Sequence, residues 1–286
     1  MLVTGVGGPA GRAAATWLTA HGARVLGADV RDVTSPAWEL RRIPPASDPA
    51  FARALLALVA EAHAALLVPT VSEELPLVAR LHDALRAAGC ALAMGPPPGV
   101  DVAADKLLTA EALSCAGVPV PRSLPGSTPR AEVVVALGLP LLAKPRVGRG
   151  GRGVKVFRDE AELPATPRTD LVWQEFIPGD EFDVNLFVEE DGGTPAAVVL
   201  KKTALRDGET GNAAGVERVD RPALGEVAIR AARALRLAGP LDVDVRLRRD
   251  GTPAILEVNA RLGANSLSAP EVLEALDAAW RGGRCA

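Results

Sequence analysis

Residues 240–261, PLDVDVRLRRDGTPAILEVNAR, carry alternating acids, amides and arginines on either side of an Asp-Gly pair. Strand periodicity puts Asp242, Asp244 and Arg246 on one face of a first strand and Glu257, Asn259 and Arg261 on one face of a second. A hairpin turn centred on Asp250-Gly251 sets Asp244 opposite Glu257 and Asp242 opposite Asn259. Facing carboxylates repel and raise one another's pKa unless a cation lies between them. The two carboxylates Asp244 and Glu257 with the Asn259 amide form an all-oxygen set, which suits Mg²⁺ or Mn²⁺ and not zinc. A metal-bound polyphosphate is the guest such a face would take. Taken alone, the same residues would also serve as a solvated acidic hairpin face.

A second constellation precedes it. Lys144 ends an apolar strand, LPLLAK, and the loop RVGRGGRG follows, with glycines at Gly148, Gly150, Gly151 and Gly153. Backbone N–H groups of such a loop approach an anion closely, while the lysine supplies a fixed point charge. It is not a P-loop, because G-K-[ST] is absent and strand-like VKVF follows instead of a helix. A hairpin lid over phosphates fits, and so does an ordinary mobile turn. In VWQEFIPGDEFDV, backbone groups at Glu175, Phe176 and Ile177 could read an adenine edge, and Glu181 could accept from ribose hydroxyls, or the stretch is a plain connector. Lys201, Lys202 and Arg206 follow an apolar strand and lead into the polar loop DGETGNAAG, where they could clamp phosphates. Strand neighbours point to opposite faces, so one of Lys201 and Lys202 faces the site. The first loop, GVGGPAG with Asp29 after the next strand, resembles a dinucleotide fingerprint in G-x-G-x-x-x-G spacing. It could hold NAD(P), hold another anion, or serve tight strand-to-helix packing.

These residues need elements to place them. The first hundred residues alternate strand and helix signals, a parallel α/β pattern, and GPPPG at 95–99 marks a boundary. A helix over 102–116, a strand, a further helix and two strands joined by the glycine loop make a small α+β unit. Strands at 181–189 and 195–203, a helix at 222–237, the acidic hairpin and a last helix at 270–280 complete the chain. With 286 residues, 48% of them hydrophobic, the chain can bury one large core or two to three modest ones. A net charge of −3 gives no reason to expect nucleic acid or an anionic membrane. Three cysteines without metal-ligand spacing fit a reducing cytoplasmic setting. Neither a leader nor an 18-residue apolar run is read in the chain, and His21, His63 and His82 stand singly.

The ordered set resembles the ATP-grasp superfamily, particularly carbamoyl-phosphate-synthetase-like and small carboxylate–amine ligase members. It consists of Asp105-Lys106, Leu142-Ala143-Lys144-Pro145 with the glycine loop, Gln174-Glu175-Phe176-Ile177 with Glu181, and Asp244 with Glu257-Val258-Asn259-Ala260-Arg261. The resemblance implies an α/β chain: a Rossmann-like pre-ATP-grasp domain over residues 1–98, then an ATP-grasp fold over 99–286. That fold has a small subdomain at about 105–172 and a large one at about 173–286. It implies that Lys106 and Lys144 contact the phosphates of ATP, that the 148–153 loop covers them, and that residues 175–177 hold adenine. Asp244, Glu257 and Asn259 would carry Mg²⁺. The chain departs from the more usual E-[VIM]-N-P-R at Ala260, and Asp244 stands where synthetase-like relatives often have glutamine. The short stretch after the hairpin makes bicarbonate chemistry less expected.

The activity so implied is ATP-dependent ligation of a small, amino-acid-like carboxylate to an amine through an acyl phosphate, in a cytoplasmic protein that could form a homodimer. Arg261 with Lys201 or Lys202 and Arg206 would stabilise the transferring phosphoryl group. Glu209 is a candidate base, and Asn212, Asn265 and Ser266 are candidates for the acceptor pocket. Two rivals are a nucleotide-binding module without turnover and an NAD(P)-dependent oxidoreductase.

Overall fold

The computed structural model describes residues 1–164, 166–283 and 285. The chain opens with Leu2–Thr4 (β1), Pro9–Ala20 (α1), Leu26–Asp29 (β2), Glu39–Arg42 (β3), Phe51–Glu61 (α2), Leu66–Val68 (β4), Leu75–Arg80 (α3), His82–Ala87 (α4) and Ala91–Leu92 (β5). Its five strands form a parallel sheet in the order β3-β2-β1-β4-β5. Apart from the edge strand β3, which reads ELRR and follows β2 through a loop without a helix, these are short aliphatic strands joined through helices, as crossovers between parallel strands usually are. Strand β3 was not apparent from the sequence pattern. Two helices, Pro97–Ala104 (α5) and Lys106–Cys115 (α6), lead out of this unit.

Next come Ser123–Pro125 (β6), Arg130–Leu137 (α7), Leu141–Pro145 (β7), Lys155–Phe157 (β8) and Leu171–Glu175 (β9), whose strands form an antiparallel sheet ordered β6-β9-β7-β8. The rest holds Glu181–Val188 (β10), Ala196–Asp207 (β11), Thr210–Arg218 (β12), Pro222–Ala234 (α8), Gly239–Leu247 (β13), Pro253–Asn259 (β14) and Pro270–Arg281 (α9). These strands form a second antiparallel sheet, β12-β11-β10-β13-β14. Helix α8 buries Leu224, Val227, Ala228, Ala231 and Ala232, the stripe of an amphipathic helix, against one face of that sheet. Helix α9 buries Val272, Leu273, Leu276 and Ala279 against part of the other face.

Alternation within β10 divides its side chains accordingly. Phe182, Val184 and Leu186 enter the core under α8, Phe187 joins the α9 cluster, and Glu181, Asp183 and Asn185 take the face that α9 leaves for the site. One continuous apolar cluster links the parallel unit to the large antiparallel sheet, with Leu55, Val78 and Met94 in the same core as Leu186, Leu241 and Val243. The 95–99 stretch expected as a boundary is packed within this body. Its Pro97 opens α5, and a Cβ at Gly99 would lie 2.3 Å from the Leu235 carbonyl oxygen.

Three further departures from the sequence pattern have local causes. The helix expected over 102–116 is broken at Asp105, whose carboxylate caps α6 by accepting from Leu107 N at 2.9 Å and Leu108 N at 3.3 Å. Residues 207–215, expected as a polar loop, run instead into β12, paired with β11 through several register shifts. The acidic hairpin turns one position early, with Arg248 N bonded to Thr252 O at 2.8 Å and Gly251 at φ +83°. That is a three-residue loop with glycine in the left-handed position. A bulge between Asp244 and Val245 then restores the expected pairs Asp244 with Glu257 and Asp242 with Asn259.

The first glycine loop is engaged by a carboxylate of the chain itself. Gly7 N donates to Asp29 Oδ2 at 2.7 Å, and Arg31 reaches the other oxygen of the same carboxylate. The chain's own anion therefore fills the cradle. At the end of β1 and β4, buried Glu74 accepts from Thr4 Oγ1 and from Thr70 N and Val71 N, both at 3.2 Å. Burial pushes its carboxyl up to about 7, against the pull of those hydrogen bonds. A raised pKa stabilises the fold in full below the ordinary value of 4.5, and the contribution is lost as pH rises through about 7. Between about pH 5 and about pH 8 the loss should be on the order of 3 kcal/mol. Glu74→Gln, which stays neutral, should flatten that slope in urea denaturation curves taken at the two ends of the range.

Candidate functional site

The small antiparallel sheet and the large one face each other across a cavity. Its roof carries Lys144 from the end of β7 and Gly148, Gly150 and Gly151 from the β7–β8 loop. Lys106 enters from the start of α6, and Glu175 and Ile177 line the passage between the sheets. The floor is the polar face of the large sheet: Glu181, Lys202, Asp244, Glu257, Asn259 and Arg261.

Charge holds the floor together. Buried Lys202 donates to Asp244 Oδ1 at 2.5 Å and to Glu181 Oε1 at 2.6 Å. Burial works against its charge, yet the Asp244 and Glu181 carboxylates outweigh it and hold its pKa above the ordinary lysine value. Arg246 Nε takes the second oxygen of Glu181 at 2.6 Å, and its Nη1 donates to Ile177 O at 3.0 Å. Burial pushes Asp244 up to about 7 despite Lys202, with Asp242, Glu181 and Glu257 adding to the rise. Lys106 Nζ lies 3.4 Å from Glu257 Oε1 and donates to Gly148 O at 2.8 Å. Lys144 Nζ donates to Leu256 O at 3.1 Å, and burial lowers its pKa to about 8 although Glu257 favours its charge. Arg261 reaches Asp242 Oδ2 at 3.0 Å, Leu262 O at 2.7 Å and Ser72 Oγ at 3.1 Å, so the parallel unit touches the site directly.

The supports of this arrangement are local. Asp105 caps α6 and accepts from Arg146 Nε at 2.9 Å, which ties the helix start carrying Lys106 to the strand end carrying Lys144. The glycine loop is held from outside by Arg149 and Glu73 at 2.7 Å, and Asn212 of β12 stands beside Gly150.

Not every residue singled out in the sequence arrives here. Of the paired lysines, Lys202 faces the cavity, while Lys201 takes the opposite face and pairs with Asp180 at 2.8 Å. Arg206 is exposed on β11 beyond the lining, because the strand's register shifts carry it away from the floor. Phe176 lies outside the lining with the Arg246 guanidinium 5.7 Å from its ring centre, and Gly153 packs on Pro145 instead of the cavity. Both oxygens of Glu181 are held by cations, and Ile177 O is taken by Arg246, so neither stands as a free acceptor. Glu209 is exposed and paired with Arg158. Asn212 and Asn265 line the cavity, whereas Ser266 is buried outside the lining.

The sequence pattern put Arg246 on the face of Asp242 and Asp244 without a site role, and it did not single out Asp183 and Asn185. Their alternation with Glu181 along β10 was a usable signal, but it needed the knowledge that β10 lies next to β13. Among the described residues, no three carboxylates, imidazoles or thiols close on one point as a metal cluster. A cation held here would therefore take two carboxylates and an amide, with the remaining oxygens coming from its guest. The Asn259 amide nitrogen points to Asp242 O at 3.4 Å, which leaves its oxygen as the ligating atom. Facing carboxylates of which one is raised by burial are a donor set that fits a divalent, oxygen-loving ion.

The D-alanine–D-alanine ligase of Gloeobacter violaceus is 30% identical over 197 residues, 61% of this chain and 64% of that one, so the chain spans less than two thirds of that relative's length. The L-amino acid ligase from Bacillus licheniformis superposes with a TM-score of 0.70 at 21% identity, over 93% of this chain and 70% of that one. The biotin carboxylase from Campylobacter jejuni does so with a TM-score of 0.76 at 16% identity, over 98% of this chain and 70% of that one. At such identities these two likenesses are of fold. The family model for the ATP-grasp domain matches residues 103–265, more than half of the chain and every strand of the cavity, and the chain belongs to the ATP-grasp family.

Proposed function

We propose that this chain is an ATP-dependent carboxylate–amine ligase that works through an acyl phosphate and releases ADP and phosphate. The observation that carries the reading is the opposition across one cavity of Lys106, Lys144 and the glycine loop to Asp244, Glu257 and Asn259. In this reading residues 1 to about 98 are a Rossmann-like pre-ATP-grasp unit, and the two antiparallel sheets clasp ATP between them. The relatives' names support ligation of amino-acid-like substrates. Among the described residues no helix is long and apolar enough to cross a membrane.

Each part of the chain has work in this scheme. Lys106 and Lys144 bind the polyphosphate, and Glu175 with the Ile177 backbone borders the adenine end. Asp244, Glu257 and the Asn259 oxygen would hold Mg²⁺ or Mn²⁺. When bound, that ion neutralises phosphate charge and aligns the γ-phosphoryl group for in-line transfer. Arg261, fixed by Asp242 and Ser72, and Lys202, fixed between Asp244 and Glu181, present preorganised positive charge to the transferring group. The substrate carboxylate attacks the γ-phosphorus, the bond to ADP breaks, and the amine then displaces phosphate from the acyl carbon to leave an amide. Keeping water from the acyl phosphate falls to the glycine loop, which Glu73 and Lys106 hold over the cavity.

Removing the carboxylate opposite Asp244 tests the reading. Glu257→Gln should lower amine-dependent ADP release by roughly two orders of magnitude, with the circular dichroism spectrum unchanged. Near-normal turnover would sink the proposal. The two holds on the phosphates should differ in size. The Glu73–Arg149 pair is about two-fifths exposed on either side, and exposed pairs contribute about 1 kcal/mol or less. Glu73→Ala should therefore raise the half-saturating Mg·ATP concentration by no more than about fivefold. Lys144→Ala, which deletes a buried charge, should raise it by about a hundredfold in the same titration.

A further inference from the structure

Glu74 is an ionisable group that the ligation scheme does not use. It is 4% exposed, and the three donors it accepts from, Thr4 Oγ1, Thr70 N and Val71 N, are all neutral. A carboxyl so placed costs stability unless its bonds do something an apolar residue could not. Those bonds close a turn. Glu74 Oε1 takes Thr70 N and Val71 N, and Glu74 N donates to Val71 O at 3.0 Å, so residues 71–74 fold back on themselves. Thr4 Oγ1 donates to the same oxygen and Thr70 Oγ1 to Thr4 O at 2.7 Å, which fixes the turn to the end of β1. Gly5 is packed on it, since a Cβ there would stand 2.5 Å from Val71 Cγ2 and 2.8 Å from Thr70 Oγ1.

The two residues inside the turn are the ones that reach the site. Ser72 Oγ accepts from Arg261 Nε at 3.1 Å, and the Glu73 carboxylate holds Arg149 at 2.7 Å. Arg261 follows β14 of the large sheet, whereas Arg149 lies in the glycine loop of the small one. One short turn thus joins the parallel unit to both the floor and the roof of the cavity. Ser72 and Glu73 owe their directions to the backbone of the turn, so a change that re-forms the turn displaces both contacts together. Misplacement of a group by about 1 Å can cost about a hundredfold in rate.

We propose that Glu74 is a positioning residue for the ligation. By closing the turn it sets Ser72 against Arg261 and Glu73 against Arg149 at once, and so aligns the lid with the end of the floor where the phosphoryl group is transferred. The inference rests on the carboxylate–amine reading above. It also gives the first glycine loop a task that needs no nucleotide, because the bare α-carbon of Gly5 leaves the space in which the turn is seated.

The two arms of the turn predict separable kinetics. In the full chain, Ser72→Ala should lower kcat for amine-dependent ADP release about tenfold, the loss of one hydrogen bond to a charged group, with the half-saturating Mg·ATP concentration unchanged. Glu73→Ala should raise that concentration without the fall in kcat. Glu74→Ala should do both, and Glu74→Gln, whose amide oxygen accepts the same backbone N–H groups, should restore both to within about threefold of wild type. Added to a Ser72→Ala/Glu73→Ala double variant, Glu74→Ala should change neither by more than about twofold. Thr4→Val, which removes only the hydroxyl shared by Glu74 and Thr70 N, should show the same paired change at smaller size and keeps the test open if Glu74→Ala does not fold. A folded Glu74→Ala with both parameters as in wild type, or one as harmful in the double variant as alone, would overturn the proposal. Hydrogen exchange of the 149–154 amides, followed without nucleotide, should quicken about threefold in Glu74→Ala and Glu73→Ala but not in Ser72→Ala. That readout needs no turnover: a wild type without ligase activity counts against the function, and unchanged exchange against the turn.

Discussion

Five carboxylates on one face of a single sheet set the terms for the rest of the molecule. Glu181, Asp183, Asp242, Asp244 and Glu257 come from three adjacent strands, and all line one cavity. Strands lie about 5 Å apart, so charges of one sign on neighbouring strands are held where they repel one another. Such a face folds only where cations reach it. Here they arrive from separate elements: Lys202 on β11, Arg246 on β13, Arg261 at the end of β14, and Lys106 from α6.

That requirement explains features with no chemistry of their own. Asp105 interrupts what would have been one helix, and as a cap it starts α6 at the point that delivers Lys106 to Glu257. Arg146 bonded to Asp105 fixes the strand end beside it, so Lys106 and Lys144 move as a pair. The bulge after Asp244 has a similar standing. Without it, the early turn of the hairpin would set Asp244 opposite Leu256 instead of Glu257, and the two carboxylates would point to opposite faces.

Much of this was legible in the sequence, for definite reasons. Period-two alternation placed Asp242, Asp244, Glu257 and Asn259 because one face of the sheet is apolar and the strands cannot be turned over. The facing of Asp244 and Glu257 was read correctly from an incorrect turn, since the bulge offsets a one-residue error in the loop. Alternation also required one of Lys201 and Lys202 to face the site, but the choice between them depends on the register of β11 against β10, which no local pattern encodes. Arg206 was misplaced for the same reason. The α9 side of the sheet was the least legible, because Asp183 and Asn185 acquire meaning only once β10 is known to lie between β11 and β13. Strand β12 was hidden by its glycines and by the irregular pairing that they accompany.

The same balance bears on how the cavity could accept an anionic guest without a large cost. Stripping one partner from a buried ion pair costs about 3–5 kcal/mol, because the other charge is left without compensation. Lys106 is placed to avoid that loss, lying 3.4 Å from Glu257 while its strongest hydrogen bond goes to the Gly148 carbonyl of the loop. With Glu257 among the residues that would hold a divalent ion, Lys106 would be free to pair with a phosphate oxygen of the guest, so neither charge would be left uncompensated. Lys202 is different. At 2.5 Å and 2.6 Å from two half-buried carboxylates it is too well held to be a leaving partner. It fixes one oxygen of Asp244, so in the proposed scheme Lys106 is the lysine that would exchange partners and Lys202 the one that would keep them.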